Sequence, residues 1–420
     1  MIDLRLLRDD FESVATALAR RGYDRDDLVA LADLDERRRN LVAEVDRARA
    51  EQRNASKAIG QAAPDERQAM IDAAAELKAK VGDLEVQLAE VEREHTDRFA
   101  RVPNLPHPDA PDGVEGDGIV LRTFGDKPTF DFEVRDHVEL LESADALDLA
   151  RAAKVSGARF AYLKGEGALL EFALVRYAID IAMRHGHVPV IPPVLVREEA
   201  MYGTGFLPTD EQQIFLTRDD DFYLVGTSEV PLAALHMDEL LDEDDLPIRY
   251  VGYSPCFRRE AGTHGKDTRG ILRVHQFEKV EMFSFVHPDL ADAEHERLLS
   301  IEEEIFTGLG VHAQVVDIPV GDLGASAARK FDIEAWLPGQ DAYREVTSCS
   351  NTTDYQARRL KARIRRREGD NLLVSTLNGT ALAVQRAIIA LVETHQRVDG
   401  TVAVPQALQP YLGREVLFAH

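Results

Sequence analysis

From Leu34 the chain repeats core-type positions at alternating steps of four and three: Leu34, Arg38, Leu41, Val45, Ala48, Gln52, Ala55 and Ile59. The same spacing returns at Met70, Ala74, Leu77, Val81, Leu84, Leu88 and Val91. This is a heptad seam, and it predicts two helices that pack along one stripe. The segment GQAAPD at 60–65 interrupts it, with Gly60 ending one helix and Pro64 starting the next. Two helices of similar length around a short turn predict an antiparallel coiled-coil hairpin over 28–98, roughly 50 Å long at about 1.5 Å per residue. Its other positions are almost all Arg, Glu, Asp, Lys or Gln, so both outer faces are wet. Periodicity says what packs and not why, and a dimerising structural coiled coil would show the same seam. The segment RVPNLPHPDAPDG at 101–113 cannot continue a helix and reads as a linker between a helical domain (1–100) and a second domain (114–420).

Beyond 113, strand-like apolar runs stand at 187–196, 222–226, 249–258, 280–286 and 371–378. Helical patterns stand near 137–153, 167–184, 290–308 and 380–397. Strands follow one another through short turns and do not alternate regularly with helices. The fold class expected is therefore α+β, a mixed, mainly antiparallel sheet flanked by helices, with the helical hairpin in front of it. Neither a GxGxxG segment nor a P-loop lysine motif is present, so a nucleotide would be held another way.

Composition narrows the class. The 420 residues are long for one domain, and 45% apolar content is ample for a packed core. Fifty basic residues face 75 acidic ones, for a net charge of −25, which argues against a surface generally coated by nucleic acid but leaves room for a local basic patch. Cys256 and Cys349 lack CxxC spacing and read as reduced thiols. The N-terminus MIDLRLLRDDFE has no apolar h-region, and no run approaches a membrane span, so a soluble cytoplasmic protein is expected.

Four clusters are unusual as core sequence: VGTSEVPL (225–232), CFRREAG (256–262) with ILRVHQFEKVEMF (271–283), REVTSCSNTTDYQARR (344–359) and TLNGTALAVQRAI (376–388). The second has the form of two strands around a mobile basic loop, THGKDTRG at 263–270. Strand alternation places Arg258 with Glu260, and His275, Phe277, Lys279 and Glu281 together on one face. Such residues suit binding a triphosphate and an amino acid together, since adenylation needs cations where charge moves to pyrophosphate and otherwise needs positioning. Each cluster also has a plain structural reading: surface ion pairs, a core Phe277, a helix cap at Ser228. From spacing alone, the conclusion stops at an enzyme that uses a nucleotide.

The wording of these segments resembles a known family. FRREAG with RVHQFEKVEMF resembles motif 2 of class II aminoacyl-tRNA synthetases, NGTALAVQR resembles motif 3, and GHVPVIPPVLV, with Pro192 and Pro193, resembles motif 1. TSE at 227–229, TSCSNTTDYQARR and VPQALQPYLG (404–413) are similar to bacterial-type seryl-tRNA synthetases, in the family's order and over nearly the whole chain. The resemblance implies serine activation by ATP to seryl-adenylate, then transfer to the 3′-terminal adenosine of tRNA(Ser), and of tRNA(Sec) as well. It implies Thr227, Ser228, Glu229, Glu281 and Thr380 around serine. For ATP it implies Arg258 on the α-phosphate with Arg259 beside it, Glu260 accepting from the adenine amino group, and Phe277 stacked on the ring. Val274 would contribute backbone, and Arg386 would approach the γ-phosphate. Glu345, Val346, Thr347 and Ser348 complete the nucleotide set, with Glu345 and Ser348 holding Mg2+. Arg258 and Arg386 are the implied catalytic residues. Thr380, Ala381 and Gln385 stand where the family commonly has Ser, Gly and Gly; Thr380 keeps the hydroxyl, and Gln385 has no evident role in the sequence.

The resemblance also implies a homodimer in which the arm grips tRNA, with Arg37, Arg38, Arg39, Arg47, Arg49, Arg53, Lys57, Lys78 and Lys80 as candidate phosphate contacts. The basic run at 356–371 fits acceptor-stem phosphates or a wet surface helix equally. Two other readings compete: a synthetase-like ligase loading a carrier protein, which would lack the arm, and an inactive coiled-coil paralogue, which would lose Arg258, Glu281, Glu345 or Arg386.

Overall fold

The computed structural model describes residues 1–419 except 263, 264, 266 and 268, so the basic loop expected at 263–270 lies partly outside the described residues. The chain forms two compact units, Asp3–Val102 and Pro103–His420, the latter including Met1 and Ile2.

The first unit holds α1 (Leu4–Asp9), α2 (Phe11–Ala19), α3 (Arg25–Ile59) and α4 (Arg67–Ala100). Every seam position is buried or half-buried, from Leu34, Leu41, Val45 and Ala48 against Val81 and Val91 to the smaller Ala55 and Ala74 nearer the turn. Asp24 caps α3 by accepting from the Asp26 N–H, and α3 ends at Gly60 as expected. α4 begins at Arg67, three residues after Pro64, because residues 64–66 still form turn.

Asp35 lies off the seam yet is 1% exposed. Its carboxylate accepts from Arg8 Nε and Nη2 at 2.7 and 2.9 Å, from Arg39 Nε at 3.2 Å and from Arg38 Nη2 at 3.4 Å. Burial acts to raise its pKa, but the hydrogen bonds from Arg8 and Arg38 hold it below the usual carboxylate range. His95, 3.6 Å away, is kept neutral by burial and by Arg38. One buried charge thus ties α1 to α3, with His95 of α4 packed beside it.

The second unit is built on an eight-stranded sheet. In chain order the strands are β1 (Ile119–Phe124), β2 (Val188–Val190), β3 (Ile248–Phe257), β4 (Gln276–Val286), β5 (Ala313–Asp317), β6 (Arg329–Leu337), β7 (Ala342–Asn351) and β8 (Ser375–Ala383). The spatial order is β1-β5-β6-β7-β8-β4-β3-β2, antiparallel at every step except β2 beside β3. The mixed, mainly antiparallel sheet expected from the sequence is therefore present. Helices α5 (His137–Ser143), α6 (Leu149–Ser156), α7 (Glu166–Arg184), α8 (Glu229–Ala234), α9 (Ala291–Gly308), α10 (Tyr355–Leu360) and α11 (Val384–Thr394) surround it. The main core joins α7, α9 and α11 to Val280 and Met282 of β4 and Leu377 and Leu382 of β8. On the opposite face Phe283 and Phe285 pack with Leu232, Ala233, Ala357 and Leu360 of α8 and α10. β4 is covered on both sides over Val280–Val286, which is why it reads as a nearly continuous apolar run.

Several expectations need correction. The helix expected over 137–153 is two helices, separated by a turn in which Asp145 has φ 50°. The helix expected from 380 starts at Val384, because residues up to Ala383 are held in the ladder with β4. The run 187–196 is two short strands, Val188–Val190 and Leu195–Val196, and 371–378 is likewise divided. β1, β5, β6 and β7 were not among the expected strands. The segment 103–113 is not free: Asn104 Nδ2 donates to the carbonyls of Ser326 and Thr352 at 2.9 Å each, and Ala110 is buried beside Val316 and Val320.

Substituting Asp35→Ala leaves Arg8 and Arg38 without their shared anion. The expected cost is about 3 kcal/mol, read as a lower-temperature helix transition by circular dichroism of the full-length protein. An unchanged melt would show that the cluster contributes nothing net.

Candidate active site

Alternation along β4 divides its chemistry. Val280 and Met282 face the long helices, while Phe277, Lys279 and Glu281 line a cavity of 330 Å³ on the other face. The expected grouping therefore holds for Phe277, Lys279 and Glu281 but not for His275, which precedes β4 and lies with its Nδ1 2.9 Å from the Arg258 carbonyl. The pairing of Arg258 with Glu260 on one strand face does not, since β3 ends at Phe257 and Glu260 has φ 49°, in the left-handed region.

A bulge then sets the register. Val280 lies opposite Leu382 and Glu281 opposite Thr380, so Ala381 is an extra residue in β8. This places the Thr380 hydroxyl, donating, 3.1 Å from Glu281 Oε2, with Lys279 Nζ at 3.3 Å from the same oxygen. A second bulge in β7 puts Ile333 opposite Thr347 and Glu334 opposite Glu345; Val346 drops into the core and the Glu345 carboxylate turns to the cavity.

Glu229, at the first residue of α8, is 8% exposed. Its Oε1 accepts from Gln356 Nε2 at 2.7 Å and from Asn378 Nδ2 at 3.0 Å. Burial, and next the charge of Glu281, push its pKa up to about 7. Thr227 also lines the cavity, and its Oγ1 accepts from the Glu229 N–H. Ser228 does not line it: the hydroxyl is within 2.8 Å of Ser254 Oγ, and it does not cap α8.

At the other end, Arg258 lays its guanidinium 5.3 Å from the Phe277 ring centroid and donates through Nε to the Gly226 carbonyl at 3.2 Å. Glu260 pairs with Arg273 at 3.3 Å. Arg386 Nη1 donates to both the carbonyl and Oε1 of Glu345 at 3.0 Å. Burial acts to raise the Glu345 pKa, but Arg386, Lys330 and Arg258 together hold it down to about 2. Its side chain is nevertheless 44% exposed, so an ionised carboxylate faces open space. Val274, Thr347 and Ser348 complete the wall, while Arg259 lies outside it and donates its backbone N–H to the Gln213 carbonyl.

Sequence reasoning missed Lys330 and Asp332. They sit on β6, 3.0 Å apart, and Lys330 lines the cavity. Burial and then Glu345 push Asp332 up to about 7, against the pull of Lys330. Gln356, fully buried behind Glu229, was also missed. The alternation of Phe331, Ile333, Ala335 and Leu337 was the available signal for β6, obscured by the charges between them.

The cavity thus joins a small polar end (Thr227, Glu229, Glu281, Thr380) to a cationic, aromatic end (Arg258, Phe277, Arg386). Comparison with known proteins identifies the family. Residues 1–106 match the family model of the seryl-tRNA synthetase N-terminal domain, and residues 214–395 that of the class II tRNA synthetase core domain (G, H, P, S and T). The serine–tRNA ligase of Acidothermus cellulolyticus is 54% identical over 417 residues, covering 99% of both chains. Seryl-tRNA synthetase of Pyrococcus horikoshii, solved with ATP, superposes with a TM-score of 0.91 at 40% identity, covering 99% of each chain. The cytoplasmic enzyme of Naegleria fowleri, solved with AMP, gives 0.87 at 30% identity, covering 99% of this chain and 98% of that one. The chain belongs to the seryl-tRNA synthetase family.

A carboxyl raised by folding stabilises least at high pH, so its cost grows as pH climbs from 4.5, the ordinary value, to about 7 and is constant above. Glu229→Gln removes that cost. The melting temperature of E229Q relative to the wild type is expected to rise across this window, by an amount equivalent to about 3 kcal/mol, then stay level. A difference that is the same at pH values of about 5 and about 8 would mean that Glu229 titrates as an ordinary carboxyl.

Proposed function

We infer that this cavity is where the chain, as a serine–tRNA ligase, joins L-serine to ATP and then passes the seryl group to tRNA. The observation that carries the reading is the single cavity in which Glu281, faced by the Thr380 hydroxyl, lies within one strand of the Arg258–Phe277 pair. In the first step the serine carboxylate attacks the α-phosphorus, forming seryl-adenylate and releasing pyrophosphate. In the second, a hydroxyl of the tRNA's terminal adenosine attacks the seryl carbonyl and AMP leaves.

Each role follows from the chemistry of the site. Glu229, with one oxygen held by two neutral amides, accepts from the substrate's ammonium. Glu281 and Thr380 take the serine hydroxyl, so alanine would leave buried polar groups unpaired and be rejected by roughly 10⁴-fold. Phe277 stacks on adenine, Glu260 accepts from its amino group, and Arg258 holds the α-phosphate as charge moves to the leaving pyrophosphate. Serine's carboxylate is already a nucleophile, so positioning and charge stabilisation supply the rate. Arg386 adds a cation at the far phosphates.

Mg2+ fits the residues present. Glu345 is ionised and open to the cavity, and Ser348 lines it, which gives two hard oxygens for an ion that takes its remaining ligands from phosphates and water. Among the described residues no cluster of three or more His, Cys, Asp or Glu could hold a metal unaided. When bound, the ion would neutralise charge on the polyphosphate.

The α3–α4 hairpin is proposed as the arm that grips tRNA(Ser) and tRNA(Sec), through Arg53, Lys57 and the other basic residues of its outer faces. A homodimer is supported by exposed apolar residues on α7 and the following segment: Leu169 and Phe172 at 48 and 64%, Val188 and Ile191 at 55 and 88%. Among the described residues no helix is long and apolar enough to cross a membrane, and the proposed working place is the cytoplasm.

With ATP and magnesium, serine should drive pyrophosphate exchange, and alanine and threonine should not; absence of serine-dependent exchange would end this reading. Arg258→Ala should lower the exchange rate at least about 100-fold. Charge reversal of Arg53 and Lys57 together should raise KM for tRNA about tenfold or more and flatten its salt dependence, leaving exchange unchanged. Unimpaired charging by that variant would remove these contacts from the tRNA interface.

A further inference from the structure

We propose that Gln385 is a positioning residue for the nucleotide: its side-chain amide supplies the last rung between β8 and β4 and walls off the adenine end of the cavity. The proposal rests on the reading of that cavity as an ATP site.

β8 pairs with β4 from Ser375 opposite Val286 to Ala383 opposite Lys279. At Val384 the chain turns into α11, so Glu278 has no backbone partner on that side. On its other side Glu278 lies opposite Pro255 of β3, and its N–H is directed away from that strand, toward α11. The side chain of Gln385 fills the gap. Its Oε1 accepts from the Glu278 N–H at 3.0 Å, and its Nε2 donates to Glu278 Oε2 at 2.5 Å. The amide oxygen thus replaces the ladder acceptor lost where β8 ends, and the amide nitrogen holds the side chain of the same residue. Gln385 is 7% exposed, so water competes poorly for either bond.

The rung sits where its position matters. Glu278 follows Phe277, which lies under Arg258, and Gln385 precedes Arg386, which is bonded to Glu345. Phe277 and Arg386 line the cavity from different elements, and the rung is a direct tie between those elements next to both. Gln385, with Ile271 and Val274, also lines a second cavity of 380 Å³ bounded by Phe160, Glu171 and Glu278. These three residues form the partition between the two spaces. A smaller side chain at 385 would join them and admit water beside the base.

The test measures KM for ATP at saturating serine, KM for serine at saturating ATP, kcat and melting temperature in full-length protein, by pyrophosphate exchange. Q385G removes both bonds and the wall; Q385L removes the bonds and keeps the wall. Both are expected to raise KM for ATP about tenfold, Q385G more than Q385L, with KM for serine within about twofold of the wild type. E278L, which loses the side-chain bond but keeps the backbone N–H to Gln385, should raise KM for ATP less than Q385L, whereas E278Q, which can still pair with the amide, should stay near the wild type. The proposal is overturned if Q385G leaves KM for ATP within about twofold. It is also overturned if both KM values rise together with a lowered melting temperature, which would make Gln385 merely structural. Wild-type protein without serine-dependent exchange would instead refute the ATP-site reading itself, before any variant is compared.

Discussion

The second unit depends on one constraint: β4 is covered on both faces, and its side chains must alternate between them. Val280 and Met282 belong to the helix-backed core. The residues between them point the other way, into space that other elements also enclose. Lys279 and Glu281 are therefore charged groups in a low-dielectric setting, and each needs partners there. Lys279 pairs with Glu281, Thr380 completes Glu281, and Gln356 and Asn378 complete Glu229. The same burial that makes β4 a stable centre strand makes its cavity face selective, because a ligand lacking the matching polar group leaves a buried one unsatisfied.

Charge is distributed unevenly along this cavity. At the small end Glu229 is held by neutral donors, and burial pushes it up to about 7. At the other end Glu345 is held down to about 2 by surrounding cations. One end thus wants a cation and the other is ready for an anion with its counter-ion. A zwitterionic amino acid and a polyphosphate satisfy both at once, and neither requires the protein to move a proton.

How far the sequence announced this varies by residue. The hairpin was legible because heptads are local: each of Leu34, Leu41 and Val45 packs on a neighbour that the same spacing identifies. β4 was legible from its largely apolar run, and strand periodicity extended back from it grouped Phe277, Lys279 and Glu281. β6 was not, because Lys330, Asp332 and Glu334 look like a solvated face until Lys330 is seen to line the cavity. The start of α11 was misjudged because TLNGTALAVQRAI carries a helical period, while pairing with β4 keeps its first part extended. The break between α5 and α6 has no glycine or proline to mark it. Ser228 and Arg259 travel with functional neighbours in the sequence, yet strand and turn geometry send them elsewhere.

The bulge at Ala381 is also a change of phase. Before it, odd-numbered Leu377 faces the helices and even-numbered Asn378 and Thr380 face the cavity; after it, Leu382 faces the helices and Ala383 the cavity. Chain length at this point is therefore information of the same kind as side-chain identity. Removing one residue would put every position on one side of the cut on the wrong face, though each side chain were kept. A substitution at Thr380 or Ala381 leaves this phase intact, whereas a deletion there does not.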